Sequence, residues 1–424
     1  MNQTSKAQTD HYREYLFAAI YICGLVIVLI VAARVGLSHY FTILDGRTNS
    51  GKNLATALFF DPNDPEAYIN RGDNAFAHLE FSFAAENYRR AVELRKNDFI
   101  LWLRLGVTLE KIEDVQGAEA AYQRALELAP HFAQPNRAMG LLLLKKGYEE
   151  NGFAYLRTAA AANNALYAEL LKLALARYPS EPDAIERVAE PQSSGEEKTM
   201  IAFMINHDLI TDGVKRRLLG NELSDEEKDL FITQLLGQNK TQLAYEIWAT
   251  KSGVIGSLPP ENEKIFDGGF ENITSSDKAG FGWRLQQKLT GTSVSVDSSR
   301  PYAGARSLSI QFKGDLEPGA KIISQLVPVR PNTAYRLSFA VLSNELISGG
   351  LPLVTVTDGQ KTRAASSVIQ ATRGKWTIVN VDVSTGEEDS VLIALERTNC
   401  QSNPCPIFGD LSLDDFSMVQ TGAK

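Results

Sequence analysis

The sequence predicts a multidomain α plus β protein: a single transmembrane helix, an α-solenoid of helix pairs, and a C-terminal antiparallel β-sandwich. Three observations predict it. Residues 15–33 carry no charged side chain. Small residues then recur every 34 positions, and near Gly253 helical periodicity gives way to short alternating segments. The expected division is a tail at 1–14, a membrane helix at 15–37 and a solenoid at 48–166. Further helices at 167–252, a linker at 253–262 and a β domain at 263–421 complete it.

Composition removes several function classes. The 424 residues hold 43 Lys and Arg against 51 Asp and Glu, a formal charge of −8. A nucleic-acid binder needs a basic face to displace counterions, so none is expected. Three cysteines are too few for a Cys₄ zinc site, and the five histidines, His11, His39, His78, His131 and His207, stand far apart. The segments GQNKT and SGKN lack phosphate-loop spacing. With no nucleophile–base pair and no paired acids for glycoside hydrolysis, the expectation is a non-enzyme.

Tyr15 to Ala33 reads YLFAAIYICGLVIVLIVAA, between Arg13 and Arg34. At about 1.5 Å per residue this spans about 29 Å, the thickness of a bilayer's hydrocarbon core. A removed signal peptide is the competing reading, with Val31 and Ala33 as its small-residue cleavage site. The run exceeds the usual apolar length of a signal peptide, and its tail holds Asp10 and Glu14 beside Lys6 and Arg13. An uncleaved single-pass anchor is therefore expected.

The next region repeats. Gly72, Gly106 and Gly140 are 34 apart, as are Ala84, Ala118 and Gly152, and Ala91, Ala125 and Ala159. Tyr88 and Tyr122 share the register, with Leu156 in the third copy. Copies at 65–98, 99–132 and 133–166 align without a gap, and Trp102, Leu105, Gly106, Leu109, Ala118, Tyr122, Ala125 and Pro130 make the middle one the most complete. This stretch resembles the tetratricopeptide repeat family. Small residues let the paired helices approach, the aromatic fills the gap to a neighbour, and Pro130 ends its helix. Ala57 and Pro62 fit one period earlier, so a half repeat is expected just after the membrane segment.

The resemblance implies a concave face made by the first helix of each repeat. In this register it offers Ile69, Asp73 and Phe76, then Leu103, Val107 and Lys111, then Arg137, Leu141 and Lys145. The family's carboxylate-clamping Lys, Arg and Asn positions are not matched. A mostly apolar groove suits an amphipathic helix from a partner protein, or the chain's own later helices. Residues 167–252 continue with helical periodicity, read as degenerate repeats, and Ser224 to Glu227 form a capping box. From 35 to 262 there are 24 Lys and Arg against 32 Asp and Glu, an acidic, solvated surface.

Beyond the Gly-Ser-Leu-Pro-Pro stretch at 256–260 come SVSVD, SLSIQF, YRLSFAVL, LVTVT, WTIVNVDV, SVLIALE and LSLDDFSMV. Separated by turn residues, they predict about eight antiparallel strands. FDGGFE, then GW, YAGARSLSI, PNTAYRLSF, KWTIVNVDV and LSLDDFSM follow an order that resembles jelly-roll carbohydrate-binding modules of the xylanase-attached, galactose-binding-like kind. The resemblance implies a structural calcium held by Gly269, Glu271 and Asp414, with Asp415 as the alternative ligand. A hydrogen-bonded acid pair closing the sheet is the other reading. It also implies core roles for Trp283, Tyr335 and Trp376, which leaves Tyr302, Phe281 and Phe408 and no visible aromatic platform for sugar.

Cys400 and Cys405 enclose a loop short enough to close as a disulfide, which implies an oxidising compartment. Cys23 lies in the apolar run as a filler. Together these readings predict an inner-membrane protein of a bacterial-type envelope, with a cytoplasmic N-terminus and a periplasmic or extracellular body. Its expected partners are a protein in the repeat groove and a glycan or second protein on the jelly roll.

Overall fold

The computed structural model describes residues 3–48, 52–251, 254, 263–273, 280–286, 288–359, 361–400 and 404–421, with backbone only at 3–14 and 47–48. Apart from Val254, the expected linker at 253–262 lies outside the described residues, as do the side chains of the tail. The chain forms two compact units, Met1–Met200 and Ile201–Lys424.

The first unit opens with α1 (Gln3–Thr48), one unbroken helix. Its segment Tyr15–Gly46 is long and apolar enough to cross a membrane, and the rest of the protein covers none of its most apolar window. The pair α2 (Leu54–Phe60) and α3 (Pro65–Ala77) follows, then α4 (Phe81–Leu94), α5 (Phe99–Lys111), α6 (Val115–Leu128), α7 (Ala133–Lys145) and α8 (Glu149–Ala162). Asp64 and Asp98 cap α3 and α5 by accepting two backbone N–H groups each, so successive first helices start at the same repeat position.

Glycine at each helix crossing is a packing requirement. A Cβ on Gly106 would stand 2.4 Å from the Tyr122 ring, and one on Gly72 2.7 Å from the Tyr88 ring. Ala84, Ala91, Ala118 and Ala125 are fully buried opposite, and each tyrosine ring lies on the glycine of its own pair. The turn inside each pair repeats too. Leu79, Glu113 and Gly147, 34 apart, all take positive φ, at 64°, 62° and 86°. The following amide bonds back to the carbonyl five residues earlier: Glu80 to Ala75, Asp114 to Leu109, Tyr148 to Leu143.

The half repeat expected at 48–64 is a whole one. Counting 34 back from Gly72 reaches Ser38, on α1, and from Tyr88 and Ala91 reaches Leu54 and Ala57. All three are buried. The C-terminal part of α1 is thus the first helix of the first pair, and α2 the second. Ser38 donates to Asp64 Oδ2 at 2.7 Å and Thr42 to the same oxygen at 3.3 Å, tying α1 to the cap of α3. Sequence reading missed this helix because the apolar run and the repeat share it.

After α9 (Tyr167–Arg177) and α10 (Pro182–Ala189), α11 (Ser194–Asn206) carries the chain across the unit boundary. The second unit holds α12 (Asp212–Leu219), α13 (Asp225–Leu236) and α14 (Thr241–Ala249). The Ser224–Glu227 capping box is present on α13. Asp208 and Asn239 repeat the left-handed turn at φ 58°, with Leu209 N–H bonding Met204 and Lys240 N–H bonding Leu235. The helix-pair turn persists where the repeat letters are gone.

Among the described residues ten strands follow: β1 (Arg284–Leu285), β2 (Thr292–Asp297), β3 (Ser307–Gly314), β4 (Lys321–Pro328) and β5 (Ala334–Ser348), then β6 (Pro352–Asp358), β7 (Lys361–Ala365), β8 (Thr377–Ser384), β9 (Ser390–Arg397) and β10 (Ile407–Gln420). They form two antiparallel sheets, ordered β1-β4-β9-β6-β7 and β2-β3-β10-β5-β8. Seven of them match the alternating segments; β1, β4 and β7 were not expected. β4 hides because its buried centre contains Gln325, whose amide pairs with both the N–H and the carbonyl of Phe266. Phe270, Trp283, Phe339 and Phe416 stack in the core between the sheets.

Within this unit α14 is fastened to the sandwich. It has no side-chain cap of its own; Asp389, just before β9, accepts the N–H groups of Thr241 at 3.0 Å and Gln242 at 3.3 Å. Trp248 lies against Phe266 and Phe281, and Tyr245 against Phe281.

Candidate functional site

The repeat groove forms around a three-residue polar knot. Arg104 Nη1 donates to both oxygens of Asp73 at 2.6 Å, and the Tyr88 hydroxyl donates to Asp73 Oδ1 at 2.6 Å. Around it Phe76, Leu103, Val107 and Thr108 complete the lining of a cavity of about 310 Å³. Burial, then the bond to Asp73, holds the Tyr88 hydroxyl well above the ordinary phenol range, so it stays a donor at any physiological pH.

Phe76, Leu103, Val107, Arg137 and Leu141 are half-buried and face accessible space, whereas Lys111 and Lys145 are exposed. Ile69, expected on the groove wall, is in the core cluster at 8% exposure. Arg137 is held by a two-point contact with Glu169, Nε to Oε2 at 2.9 Å and Nη2 to Oε1 at 2.6 Å. That bond raises the Arg137 pKa and lowers that of Glu169. The groove's two arginines are therefore already paired with acids, and the cavity beside Asp73 is walled mainly by Phe76, Leu103 and Val107, with Lys111 and Lys145 exposed outside it. Such a lining takes up an apolar side chain more readily than a terminal carboxylate.

In the β domain, Gly269, Glu271 and Asp414 do come together, at the turn before β3. Glu271 Oε1 accepts the N–H groups of Ala305 at 2.7 Å and Arg306 at 3.1 Å. Asp414 Oδ2 accepts those of Tyr302 at 2.7 Å and Ala303 at 3.0 Å, and its Oδ1 that of Asp415. Gly304, at φ 64°, passes so close that a Cβ would meet Glu271 Oε1 at 2.1 Å. Burial raises the Asp414 pKa against these bonds.

Calcium needs six or more oxygens, and N–H donors cannot supply them. Among the described residues no group of three His, Cys, Asp or Glu is placed to hold a metal. In this arrangement the acids clasp the 302–306 loop by its amides. Asp415 points out of the sandwich, at φ 50° in a bulge of β10.

The aromatics divide differently from expectation. Trp283 and Tyr335 are core residues, at 5% and 1% exposure. Phe281, expected to be left over, is buried at 1% because α14 covers it. Trp376, expected in the core, is half-exposed, its ring 5.8 Å from that of Tyr302 in an edge-on pair. The Trp376 Nε1 is covered and meets no acceptor among the described residues. Arg300 closes the same corner by donating to the Gly374 carbonyl at 2.7 Å. A paired aromatic surface thus exists, and the sequence hid it because its two rings lie 74 residues apart. Phe408 is exposed on the same sheet opposite Ile347 of β5.

Cys400 and Cys405 are joined, with Cα atoms 6.2 Å apart; residues 401–403 between them lie outside the described residues. Behind them Arg397 is buried and gives its donors to the Gly350, Leu316 and Cys405 carbonyls and to Ser348 Oγ. Sequence reading passed over Arg397, which stands in an ordinary strand pattern.

No family model matches the sequence. Curated relatives include the peroxisomal targeting signal receptors of Kluyveromyces lactis, 32% identical over 100 residues, and of Candida albicans, 30% identical over 119. These matches take in 23% and 26% of this chain, and the chain spans only 18% and 20% of those receptors. Among solved structures, one of MamA shares 19% identity at a TM-score of 0.28, covering 39% of this chain and 96% of its own. YrrB, titled a TPR protein with an unusual peptide-binding site, shares 15% at 0.31, covering 38% and 88%. The CBM22-1 xylan-binding domain of Paenibacillus barcinonensis Xyn10C shares 19% at 0.27, covering 39% and 100%. On its own helix register and strand order, the chain joins tetratricopeptide-type helix pairs to an antiparallel β-sandwich.

Proposed function

We propose that this protein is a membrane-anchored scaffold whose repeat groove holds an amphipathic helix of a partner protein. The observation that carries the reading is the apolar cavity beside the Asp73–Arg104–Tyr88 knot, whose cation is already neutralised. An apolar side chain of the ligand fills it, and Phe76, Leu103 and Val107 form its walls. The jelly roll adds a second contact through Tyr302 and Trp376, whose edge-on rings suit a sugar face, in envelope or exopolysaccharide assembly outside the cytoplasm. The chain itself carries out no chemistry in this reading.

A photo-crosslinking residue at position 107, against one at Arg124 on the outward helix face, tests the groove in cells. An adduct of defined mass at 107 and none at 124 supports the reading; equal adducts at both overturn it. For the jelly roll, full-length protein in detergent is run through gels containing soluble polysaccharides. Retardation lost in Trp376→Ala supports glycan contact, and retardation unchanged in that variant removes the aromatic pair as the site.

A further inference from the structure

We infer that the first helix pair of the solenoid rests in the headgroup layer of the membrane, with Phe59 inserted at the interface. The inference depends on α1 spanning that membrane. Because α1 is continuous from the apolar run into its pairing with α2, no linker separates the solenoid from the span. The level of the pair follows from Arg34, the first charge after the run. Its Nε donates to the Phe60 carbonyl at 3.0 Å and its Nη2 to the Phe59 carbonyl at 3.4 Å. A cation at the C-terminal carbonyls of α2 is favourable to that helix, and it fixes them where the span ends.

What surrounds this point is apolar and uncovered. Phe59 is 74% exposed, and Tyr40 and Ile43 are exposed on α1. Phe60 stacks in parallel on Phe41, 5.9 Å away, and Phe59 meets Phe60 edge-on at 5.5 Å with most of its own ring uncovered. Aromatic side chains favour the interface because an apolar ring and a wet backbone are both accommodated there. Beneath the turn lies an open cleft of about 800 Å³, with Ile27, Val31 and Val35 on one wall and Asp61, Asp64 and Pro65 on the other. One wall is continuous with the membrane helix, so lipid fills the cleft whenever α1 is inserted. Asp61 is the part-exposed acid of this edge, Asp64 being buried in its bonds to Ser38 and Thr42, and a single acid near Arg34 suits zwitterionic headgroups rather than anionic ones.

The test uses the full chain in phosphatidylcholine nanodiscs. Cys400 and Cys405 stay joined, and a single fluorescent label is placed by Phe59→Cys in a Cys23→Ser background. Nitroxide lipids labelled at the headgroup or deep in the acyl chain report depth. The inference expects headgroup nitroxide to quench the position-59 label about threefold more than the deep one, and adding anionic lipid to leave this unchanged. Labels at Tyr40→Cys should follow it, while Phe132→Cys, exposed on the third repeat, should show no lipid quenching.

A label at native Cys23 separates the two claims. If deep nitroxide fails to quench Cys23, α1 does not span and the membrane reading itself falls. If Cys23 is quenched but the label at 59 behaves like that at 132, only the interfacial seat is overturned. Shielding of 59 from iodide without lipid quenching would mean a protein or second copy covers it, and also overturns the inference.

Discussion

The first and the middle helix pairs solve one packing problem with different residues. In the middle pair Gly106 lets the Tyr122 ring lie against the backbone of α5. In the first pair Ser38 occupies the glycine position and Leu54 the tyrosine position; Asp64 accepts the Ser38 hydroxyl, and the Thr42 hydroxyl is shared between the Ser38 carbonyl and Asp64. The smaller partner leaves room for a side chain at the crossing, and one carboxylate replaces ring packing as the tie. A repeat is thus a geometry that several residue sets satisfy, and a helix that is also long and apolar enough to cross a membrane can satisfy it as well.

The largest expected break is at the tighter crossing. Gly106→Leu places carbon inside the Tyr122 ring and should cost about 3 kcal/mol or more, read by chemical denaturation of the solenoid, while Ser38→Ala should cost about 1 kcal/mol. Equal losses would erase the distinction drawn above. Next comes Asp64→Ala, which removes the α3 cap and leaves the buried Ser38 hydroxyl without its acceptor, while Thr42 keeps the Ser38 carbonyl at 3.0 Å. About 2–3 kcal/mol is expected, and a double-mutant cycle with Ser38→Ala should show coupling of about 1 kcal/mol. Additive effects in that cycle would mean the Ser38 bond contributes nothing.

Smaller effects sharpen the comparison. Tyr122→Phe loses the hydroxyl's bond to Glu110 at 2.5 Å and should cost about 1 kcal/mol with the ring packing intact. Burial and Glu110 raise the Tyr122 pKa far above the ordinary phenol value. Its contribution is therefore complete below about pH 10, the unfolded tyrosine value, and is lost as pH rises beyond it. Glu169 runs the other way. Lowered by Arg137, it stabilises above the unfolded glutamate value near pH 4.3 and loses this as pH falls; being a third exposed, the pair is worth well under about 1 kcal/mol. Smallest is Glu113→Gly, which relieves a left-handed non-glycine at φ 62° and should gain about 0.5 kcal/mol in melting experiments.

Legibility followed periodicity. The repeats at 65–166 were readable because glycine, alanine and tyrosine stand at fixed spacing, and seven strands because their faces alternate cleanly. The first helix of the solenoid was not, since Ser38 carries no repeat letter and lies just past a run that reads only as membrane. β4 was lost to a buried Gln325 whose partner, Phe266, is 59 residues away. In the candidate sites, Phe76, Leu103 and Val107 were readable from register alone. The Arg104–Asp73 pair, the Tyr302–Trp376 surface and the cover of α14 over Phe281 each join distant positions, and one sequence holds no record of such pairings.

The central claim is that α1 is at once the apolar helix and the first helix of the solenoid. Hydrogen exchange of the full chain in nanodiscs tests it on amides 36–46, beyond the apolar run. Packed as described, they should exchange as slowly as those of α3, and about 10-fold or more faster once Asp64→Ala cuts the tie. Amides 36–46 exchanging at the rate of an open linker, while 65–77 stay protected, would contradict the claim.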